Sequence, residues 1–202
     1  MMRLPFHHRG ASARHGFTLA ELLAVIVIMA IMVAVVVPNI SGITKGATMR
    51  GATMQVRTAL IQARQNAISR RAEVSVLLPT ALPSDNPKNF RAFAVYGAAT
   101  ASTGSWFVSN WEFLPPGMVF KLNNLSSMDK ATAPYDGTTS ASMTALSFNR
   151  LGERKGASAS AAQIWLMEGF VSGGTVQGKP KSGGTNQIEV FYPTGIIQVK
   201  RL

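Results

Sequence analysis

The sequence Gly16-Phe17-Thr18-Leu19-Ala20-Glu21 is followed by sixteen unbroken apolar residues, Leu22 to Val37. The apolar run from Phe17 to Val37 covers 21 residues and is interrupted only at Thr18 and Glu21. As a helix, it is long enough to cross a hydrocarbon core of about 30 Å. The carboxylate of Glu21 would cost about 2.5–3.5 kcal/mol at the centre of a bilayer. A simple membrane anchor does not need this acid, so we expect Glu21 to have a function.

The segment before this stretch is basic. Residues 1–16 contain Arg3, Arg9 and Arg14, no acidic residue and all three histidines of the chain. Removal of this segment would lower the formal net charge from +11 to +8. The alternative interpretation of the region is an ordinary signal anchor, with its glutamate at the membrane interface.

The junction resembles the class III signal of type IV pilins and type II secretion pseudopilins, in which a basic leader ends in Gly before Phe-Thr-Leu-x-Glu. The resemblance implies that a prepilin peptidase cleaves between Gly16 and Phe17 and N-methylates Phe17, so that residues 1–16 are a leader peptide. Pro38 lies at the twenty-second mature position, where pilin helices typically have a proline. The resemblance therefore implies assembly roles for Glu21 and Pro38.

The acid at this position has a physical explanation. Cleavage would create a positive amine at Phe17, which could meet the Glu21 carboxylate of a neighbouring subunit in a stack with a fixed offset. Removing one partner of a buried ion pair typically costs about 3–5 kcal/mol. We therefore expect this pair to set the register between subunits.

The resemblance also implies a structural role rather than an enzymatic one. The chain would be a minor subunit of a type II secretion pseudopilus or a type IV pilus, and would support protein secretion. It would be a single-pass protein of the bacterial inner membrane, with its C-terminal domain in the periplasm, before it enters the filament. Its partners would be other subunits, the prepilin peptidase, the assembly platform and, before assembly, membrane lipid.

Composition argues against catalysis and against a metal or cofactor site. The chain has no cysteine, and the sequence after residue 16 has no histidine. The remaining acids are scattered without paired or metal-ligand spacing. A Ca²⁺ site would need clustered oxygen ligands. Asp129 and Asp136 could supply a few of these, although a solvated polar loop is the favoured interpretation.

One long helix is predicted from Thr18 to Arg71, with a bend near Pro38, because proline removes a helix hydrogen bond and clashes with the preceding turn. Its parts are a transmembrane or filament-core helix over residues 17–38 and an amphipathic helix over residues 39–71. Arginines recur every seven residues on the polar side, and a solvated face is the favoured interpretation of this stripe. Small and apolar residues recur at three- and four-residue spacing on the other side: Met49, Ala52, Val56, Ala59, Leu60, Ala63 and Ala67.

Residues 72–202 are predicted to form a β-rich domain. The predicted strands are 73–78, 90–96, 106–113, 118–122, 145–149, 163–170, 188–192 and 196–200. Residues 123–142 and 172–186 are predicted to be a surface excursion and a mobile hairpin loop. The three tryptophans alternate with polar residues, so core packing is expected for them. The predicted fold class is α+β and pilin-like: a long N-terminal helix packed against a C-terminal antiparallel β-sheet domain.

Three short motifs make the β-rich part most similar to the H-type minor pseudopilins (the GspH/FimT group). They are Leu114-Pro115-x-Gly117, the Phe148-x-x-x-Gly152 turn and the Tyr192-Pro193-x-Gly195 hairpin. Some relatives in this group capture DNA, so DNA uptake is one alternative function, and surface adhesion is another. The residues that could contact DNA phosphates are Arg150, Arg154, Lys155, Lys200 and Arg201.

Overall fold

A computed structural model of the chain describes residues 17–83, 86–99, 104–123, 128–156, 161–178 and 184–202; the side chains of residues 34–45 and of Asn123 lie outside this description. The leader with Gly16 also lies outside it. The predicted bend at Pro38 depends on residues 34–45 and stays a prediction. Two compact units divide the chain, residues 1–43 and residues 44–202.

Helix α1 runs from Leu19 to Arg70 and contributes to both units. These bounds differ by one residue at each end from the predicted helix. In the first unit, Leu19 is 83% exposed, and the large apolar side chains that follow it up to Val33 are exposed too. No helix within the described residues is long and apolar enough to span a membrane.

In the second unit, α1 buries the predicted apolar face. Small residues at three- and four-residue spacing let the helix approach the sheets closely, because their side chains take little room. All seven predicted positions are buried and join the main core. The helix ends where Arg71 takes a positive φ of 50° and the Ala72 N–H donates to the Ala67 carbonyl oxygen at 3.2 Å.

The described residues after the helix include ten strands, which form two antiparallel sheets. The first sheet has the order β3-β2-β1-β6-β5, and the second has the order β10-β9-β7-β4, with β8 pairing on β7. The main core combines the buried face of α1 with buried residues of both sheets, such as Val76 on β1 and Ile188 on β9. The strands are β1 Val74–Leu78, β2 Ala92–Gly97, β3 Trp106–Phe113, β4 Met118–Asn123, β5 Asp129–Pro134, β6 Ser140–Phe148, β7 Ala162–Ser172, β8 Thr175–Gly178, β9 Thr185–Val190 and β10 Ile197–Arg201.

The predicted fold class is confirmed: a long helix is followed by antiparallel sheet, and the buried half of the helix packs on that sheet. Eight of the ten strands in the described residues overlap the ranges that alternating apolar residues predicted. The predictions for residues 123–142 and 172–186 are wrong in part, because β5, the start of β6, β8 and the start of β9 lie there. These strands are rich in Ser, Thr, Ala and Gly, so they carry little of the apolar alternation that identifies a strand from sequence.

Two of the three tryptophans pack as expected, although neither is fully buried. Trp106 covers Gly97, where a Cβ would clash with the indole ring, and packs against the main core. Trp111 joins a second, smaller core on the first sheet, and its ring is tilted against that of Phe107 at a centroid distance of 6.3 Å. Trp165 is half-buried on β7.

Arg64 joins the helix to two turns of the β-rich part. Its Nε donates to the Gly152 carbonyl oxygen at 2.9 Å, and a terminal guanidinium nitrogen donates to the Thr194 carbonyl oxygen at 3.1 Å. The two turns touch each other closely, since a Cβ at Gly195 would lie 2.5 Å from the Gly152 oxygen. Both glycines also have positive φ, 77° at Gly152 and 66° at Gly195. The turns in the two predicted motifs therefore meet under one arginine.

Replacing Arg64 by glutamine should lower the free energy of unfolding by about 1–3 kcal/mol, because two turn carbonyls lose a charged donor. The measurement is chemical denaturation of the full-length chain. Arg57→Gln is the matched control, since Arg57 lies seven residues earlier on the same stripe and is exposed. Equal losses in the two variants would contradict the role of Arg64 at the turns.

Candidate assembly site at the start of the helix

The first turn of α1 is closed by a reciprocal pair of hydrogen bonds between Thr18 and Glu21. The Thr18 N–H donates to Glu21 Oε2 at 2.9 Å, and the Thr18 hydroxyl donates to the same oxygen at 3.0 Å. In return, the Glu21 N–H donates to Thr18 Oγ1 at 3.2 Å. This arrangement is a capping box, which satisfies backbone donors that the first helical turn leaves without partners. Both side chains are exposed.

The sequence interpretation assigned Glu21 to pairing between subunits and missed Thr18 as its partner within the chain. The signal was present, because Thr-x-x-Glu in front of an apolar run is the sequence signature of a capping box. The structure thus holds the carboxylate beside the backbone N–H of residue 18. That position is next to Phe17, whose side chain is 83% exposed.

The five basic residues predicted as possible DNA contacts do not form one exposed surface. Arg150 and Arg201 are exposed, whereas Arg154 is only 2% exposed and cannot reach a phosphate group from the folded domain. Lys155 and Lys200 are exposed in part, but each already has a carboxylate partner. The set therefore divides into two exposed arginines, two paired lysines and one buried arginine.

Arg154 serves the fold instead. Its backbone N–H donates to the Pro193 carbonyl oxygen at 2.9 Å, and its guanidinium lies 6.0 Å from the centre of the Tyr192 ring. Burial lowers the pKa of Arg154, and the Asp129 carboxylate and Tyr192 oppose that shift. The side chain and backbone of Arg154 thus tie the first sheet, where it bridges to Phe148, to the turn before β10.

The two lysines make different ion pairs. Lys155 Nζ lies 2.8 Å from Glu73 Oε2, and the hydrogen bond to Glu73 raises the pKa of Lys155. This pair is largely solvent-exposed, so its contribution to stability is small. Lys200 Nζ lies 2.7 Å from Oε2 of the buried Glu189, whose other oxygen accepts from Gln163 and Gln187.

A surface depression of about 470 Å³ adjoins the end of α1. Arg71, Arg150 and Lys155 line it together with the Glu73 carboxylate. Because one of the cations is already paired with Glu73, the excess positive charge comes from the two arginines. Among the predicted DNA-contacting residues, Arg150 and Lys155 are brought together here.

Asp136, which could have been a Ca²⁺ ligand, is engaged in a turn. Its Oδ1 accepts hydrogen bonds from the backbone N–H groups of Thr138 and Thr139. These bonds stabilise the ionised form and lower the pKa of Asp136 from 3.8 to about 2. Among the described residues, no group of three or more potential metal ligands is found.

Residues 11–37 match the profile of the prokaryotic N-terminal methylation motif. The methylation motif predicted at the N-terminus is therefore confirmed. The match includes Gly16, Phe17 and Glu21 and ends one residue before Pro38. No match was found among curated protein sequences.

Proteins of known structure that resemble the chain include two from secretion and pilus systems. One is the type IV minor pilin FimU of Pseudomonas aeruginosa strain PAO1, with 14% identity over 75% of this chain and 87% of FimU, at a TM-score of 0.45. The other is the minor pseudopilin EpsH from the type 2 secretion system of Vibrio cholerae. It shares 12% identity over 75% of this chain and 94% of EpsH, at a TM-score of 0.45.

Replacing Thr18 by valine should weaken the first turn of α1 by about 1 kcal/mol, because valine cannot cap the helix. The backbone amide of Leu22, which donates to the Thr18 carbonyl oxygen at 3.2 Å, should exchange with deuterium about fivefold faster. Thr18→Ser is the matched control, since serine keeps the hydroxyl. Equal exchange rates in the valine and serine variants would show that the hydroxyl does not cap the helix.

The pKa of Asp136 predicts a loss of stability in acid. Its folded-state pKa of about 2 is below the ordinary value of 3.8, so its contribution is fully present above pH 3.8 and is lost as the pH falls through about 2. A ¹³C titration of the carboxyl group should have a midpoint near 2. In Asp136→Asn, this part of the acid dependence of unfolding should disappear. A midpoint at the ordinary value would contradict the turn geometry.

Proposed function

We propose that the protein is a pilin-like structural subunit that is processed between Gly16 and Phe17 and then assembled into a filament. The observation that carries this proposal is the N-terminal methylation motif at residues 11–37, followed by a capped apolar helix whose side chains are exposed. The cleaved chain would begin at a methylated Phe17. A prepilin peptidase and an inner-membrane assembly platform would be its processing and assembly partners.

The exposed apolar helix supports assembly with other subunits. Large apolar side chains from Leu19 to Val33 are mostly about half exposed or more, and in water such a surface would favour burial at about 25 cal/mol per Å². Before assembly, lipid of the bacterial inner membrane would cover this surface, with the C-terminal domain in the periplasm. In the filament, the helices of neighbouring subunits would cover it. Within lipid, helix association depends on packing and polar contacts rather than on the hydrophobic effect.

Glu21 would provide the polar contact. The capping box holds its carboxylate beside residue 18, close to where cleavage would create the new amine. On assembly, the carboxylate would pair with the amine of a neighbouring subunit. Because an uncompensated charge in an apolar environment is costly, the pair would enforce one axial register between subunits.

The role within a machine is a finer proposal. The three short motifs of the β-rich part are compatible with a minor subunit of a type II secretion pseudopilus. They are equally compatible with a minor subunit of a type IV pilus. Two of these motifs form the junction under Arg64, so they serve the fold of the domain. Gene neighbours that encode a secretin, an ATPase or sibling subunits would separate secretion from pilus assembly.

DNA uptake is a second candidate function. The depression lined by Arg71, Arg150 and Lys155 is the observation that favours it, because cations grouped at one place can contact successive phosphates. The burial of Arg154 and the ion pair of Lys200 leave fewer of the five predicted basic residues able to contact DNA. Surface adhesion stays a prediction.

The test combines processing with assembly. The full-length chain is made with and without a prepilin peptidase, and the product is analysed by intact mass and N-terminal sequencing. We expect a chain that starts at methylated Phe17 only when the peptidase is present. We also expect Glu21→Ala to be processed but to enter filaments poorly, since removing one partner of a buried ion pair leaves the other charge uncompensated, at a cost of about 3–5 kcal/mol.

Thr18→Ser is a matched control for the assembly assay, because it alters the same turn without removing a charge. An uncut chain, or cleavage at another bond, would overturn the proposal and leave an ordinary membrane anchor. Normal incorporation of Glu21→Ala would refute the proposed role of the carboxylate.

A further inference from the structure

Strand β10 has an open edge among the described residues. Of the strands that the structure describes, β10 pairs with β9 alone, in an unbroken register from Ile197 opposite Val190 to Arg201 opposite Asn186. The Phe191 N–H donates to the Ile196 carbonyl oxygen, and the Leu202 N–H donates to the Thr185 carbonyl oxygen. In an antiparallel pair, hydrogen-bonded positions alternate along each strand.

Positions 196, 198, 200 and 202 therefore bond to β9. The N–H and C=O groups of Ile197, Val199 and Arg201 point away from β9, toward the open edge. These three residues present alternating donors and acceptors at the spacing of a strand. We call this row of backbone groups the β10 edge.

Three other edge strands, β3, β4 and β5, each carry a feature that interrupts or occupies part of the edge. The pairing of β3 with β2 contains two register shifts, and β5 ends at Pro134, which cannot donate a hydrogen bond. On β4, the Phe120 N–H already donates to the Phe90 carbonyl oxygen at 3.0 Å. Bulges, prolines and covering loops are the usual protections of an edge strand. The β10 edge has a regular register and no proline.

Arginines of α1 border the β10 edge. The Asn186 side chain donates to Thr53 Oγ1 at 2.8 Å, and Asn186 is the register partner of Arg201, so this end of β10 lies beside the helix near Thr53. Arg50 and Arg57 lie three residues before and four residues after Thr53, which places them on the same flank of the helix. Both are exposed and make no ion pair within the described residues.

At its other end, β10 follows the turn that Arg64 holds through the Thr194 carbonyl oxygen. The contacts of Thr53 and Arg64 therefore place the arginine stripe of α1 on the side of the second sheet where β9 and the turn before β10 lie. Arg201 adds an exposed cation on the strand itself. The border of the edge is therefore basic.

We propose that the β10 edge binds an extended acidic peptide segment of a partner protein as an added strand. Backbone groups of Ile197, Val199 and Arg201 would provide the ladder, and Arg50, Arg57 and Arg201 would select carboxylates. Strand addition obtains affinity from main-chain hydrogen bonds and specificity from side chains. This inference does not depend on the proposed function.

An acidic peptide fits better than a nucleic acid, although both are anionic. A nucleic acid would use the cations and would leave the outward N–H and C=O groups without strand partners. An extended peptide uses both features, because its backbone carries the matching donors and acceptors. The exposed Val199, at 42%, also offers an apolar contact to alternate side chains of an added strand.

The experiment measures binding of a capped, fluorescent peptide of about eight residues that alternates valine and glutamate, a typical strand length. Fluorescence anisotropy is recorded with the full-length chain in a neutral detergent. Val199→Pro should weaken binding about tenfold or more, because it removes an outward donor and obstructs the edge. The pairing of β10 with β9 should be unchanged in this variant, since the Val199 N–H does not bond to β9. Far-ultraviolet circular dichroism checks that the variant is folded.

A second measurement does not alter the protein. The same peptide with N-methyl groups on alternate amides keeps its charge but cannot complete the ladder, and it should bind about tenfold more weakly. Arg57→Gln should weaken the binding of the unmodified peptide and reduce the salt dependence of that binding. Lys130→Gln is the matched control, because Lys130 is an exposed cation on β5 at the far edge of the first sheet.

Equal affinity of the methylated and unmethylated peptides would overturn the proposal, as would unchanged binding to Val199→Pro. A single-stranded oligonucleotide of the same charge is the competing probe. If the oligonucleotide binds more tightly than the peptide and its affinity is unchanged in Val199→Pro, the arginines of α1 form a nucleic-acid surface. The proposal of strand addition is then wrong.

Discussion

The paired hydrogen bonds of Arg64 join the helix to two turns of the β-rich unit. One planar guanidinium reaches the carbonyl oxygens of Gly152 and Thr194, which belong to turns far apart in the sequence. The fork geometry of arginine makes this possible, since a lysine offers a single charged nitrogen. The turns can approach each other because Gly195 has no side chain, since a Cβ there would clash with the Gly152 oxygen; a Cβ at Gly152 would clash with Ile68 of the helix. The helix, the turn after β6 and the turn before β10 are thus held together.

The first unit follows a different constraint. Its helix carries exposed apolar side chains and begins with a self-contained cap between Thr18 and Glu21. The cap satisfies backbone groups of the helix terminus without any other element, and the apolar side chains that follow are exposed. In the second unit, by contrast, the small residues of α1 are already covered by sheet. The same helix therefore serves two environments, and the boundary between the units falls near Ile43.

Regular spacing in the sequence did not predict the individual roles of the basic residues. Arg50, Arg57 and Arg64 recur every seven residues, yet Arg64 bonds to two turns while the other two are exposed. Arg154 and Lys155 are neighbours in the chain, but one is buried and the other is paired at the surface with Glu73. These outcomes depend on which carbonyl or carboxylate oxygens the fold brings within reach, and no local pattern contains that information.

The sequence by itself determined the elements whose signal is local. The spacing at which apolar residues recur predicted the helix with its buried face and the approximate positions of eight strands. Side-chain direction repeats every 3.6 residues in a helix and every 2 in a strand, so this spacing distinguishes the two. The methylation motif is likewise contiguous. Only the tertiary structure decided the strand order, the split into two sheets, the burial of Arg154 and the open edge of β10. Each of these depends on contacts between residues distant in sequence, whose pairing is set by packing and hydrogen bonding in three dimensions.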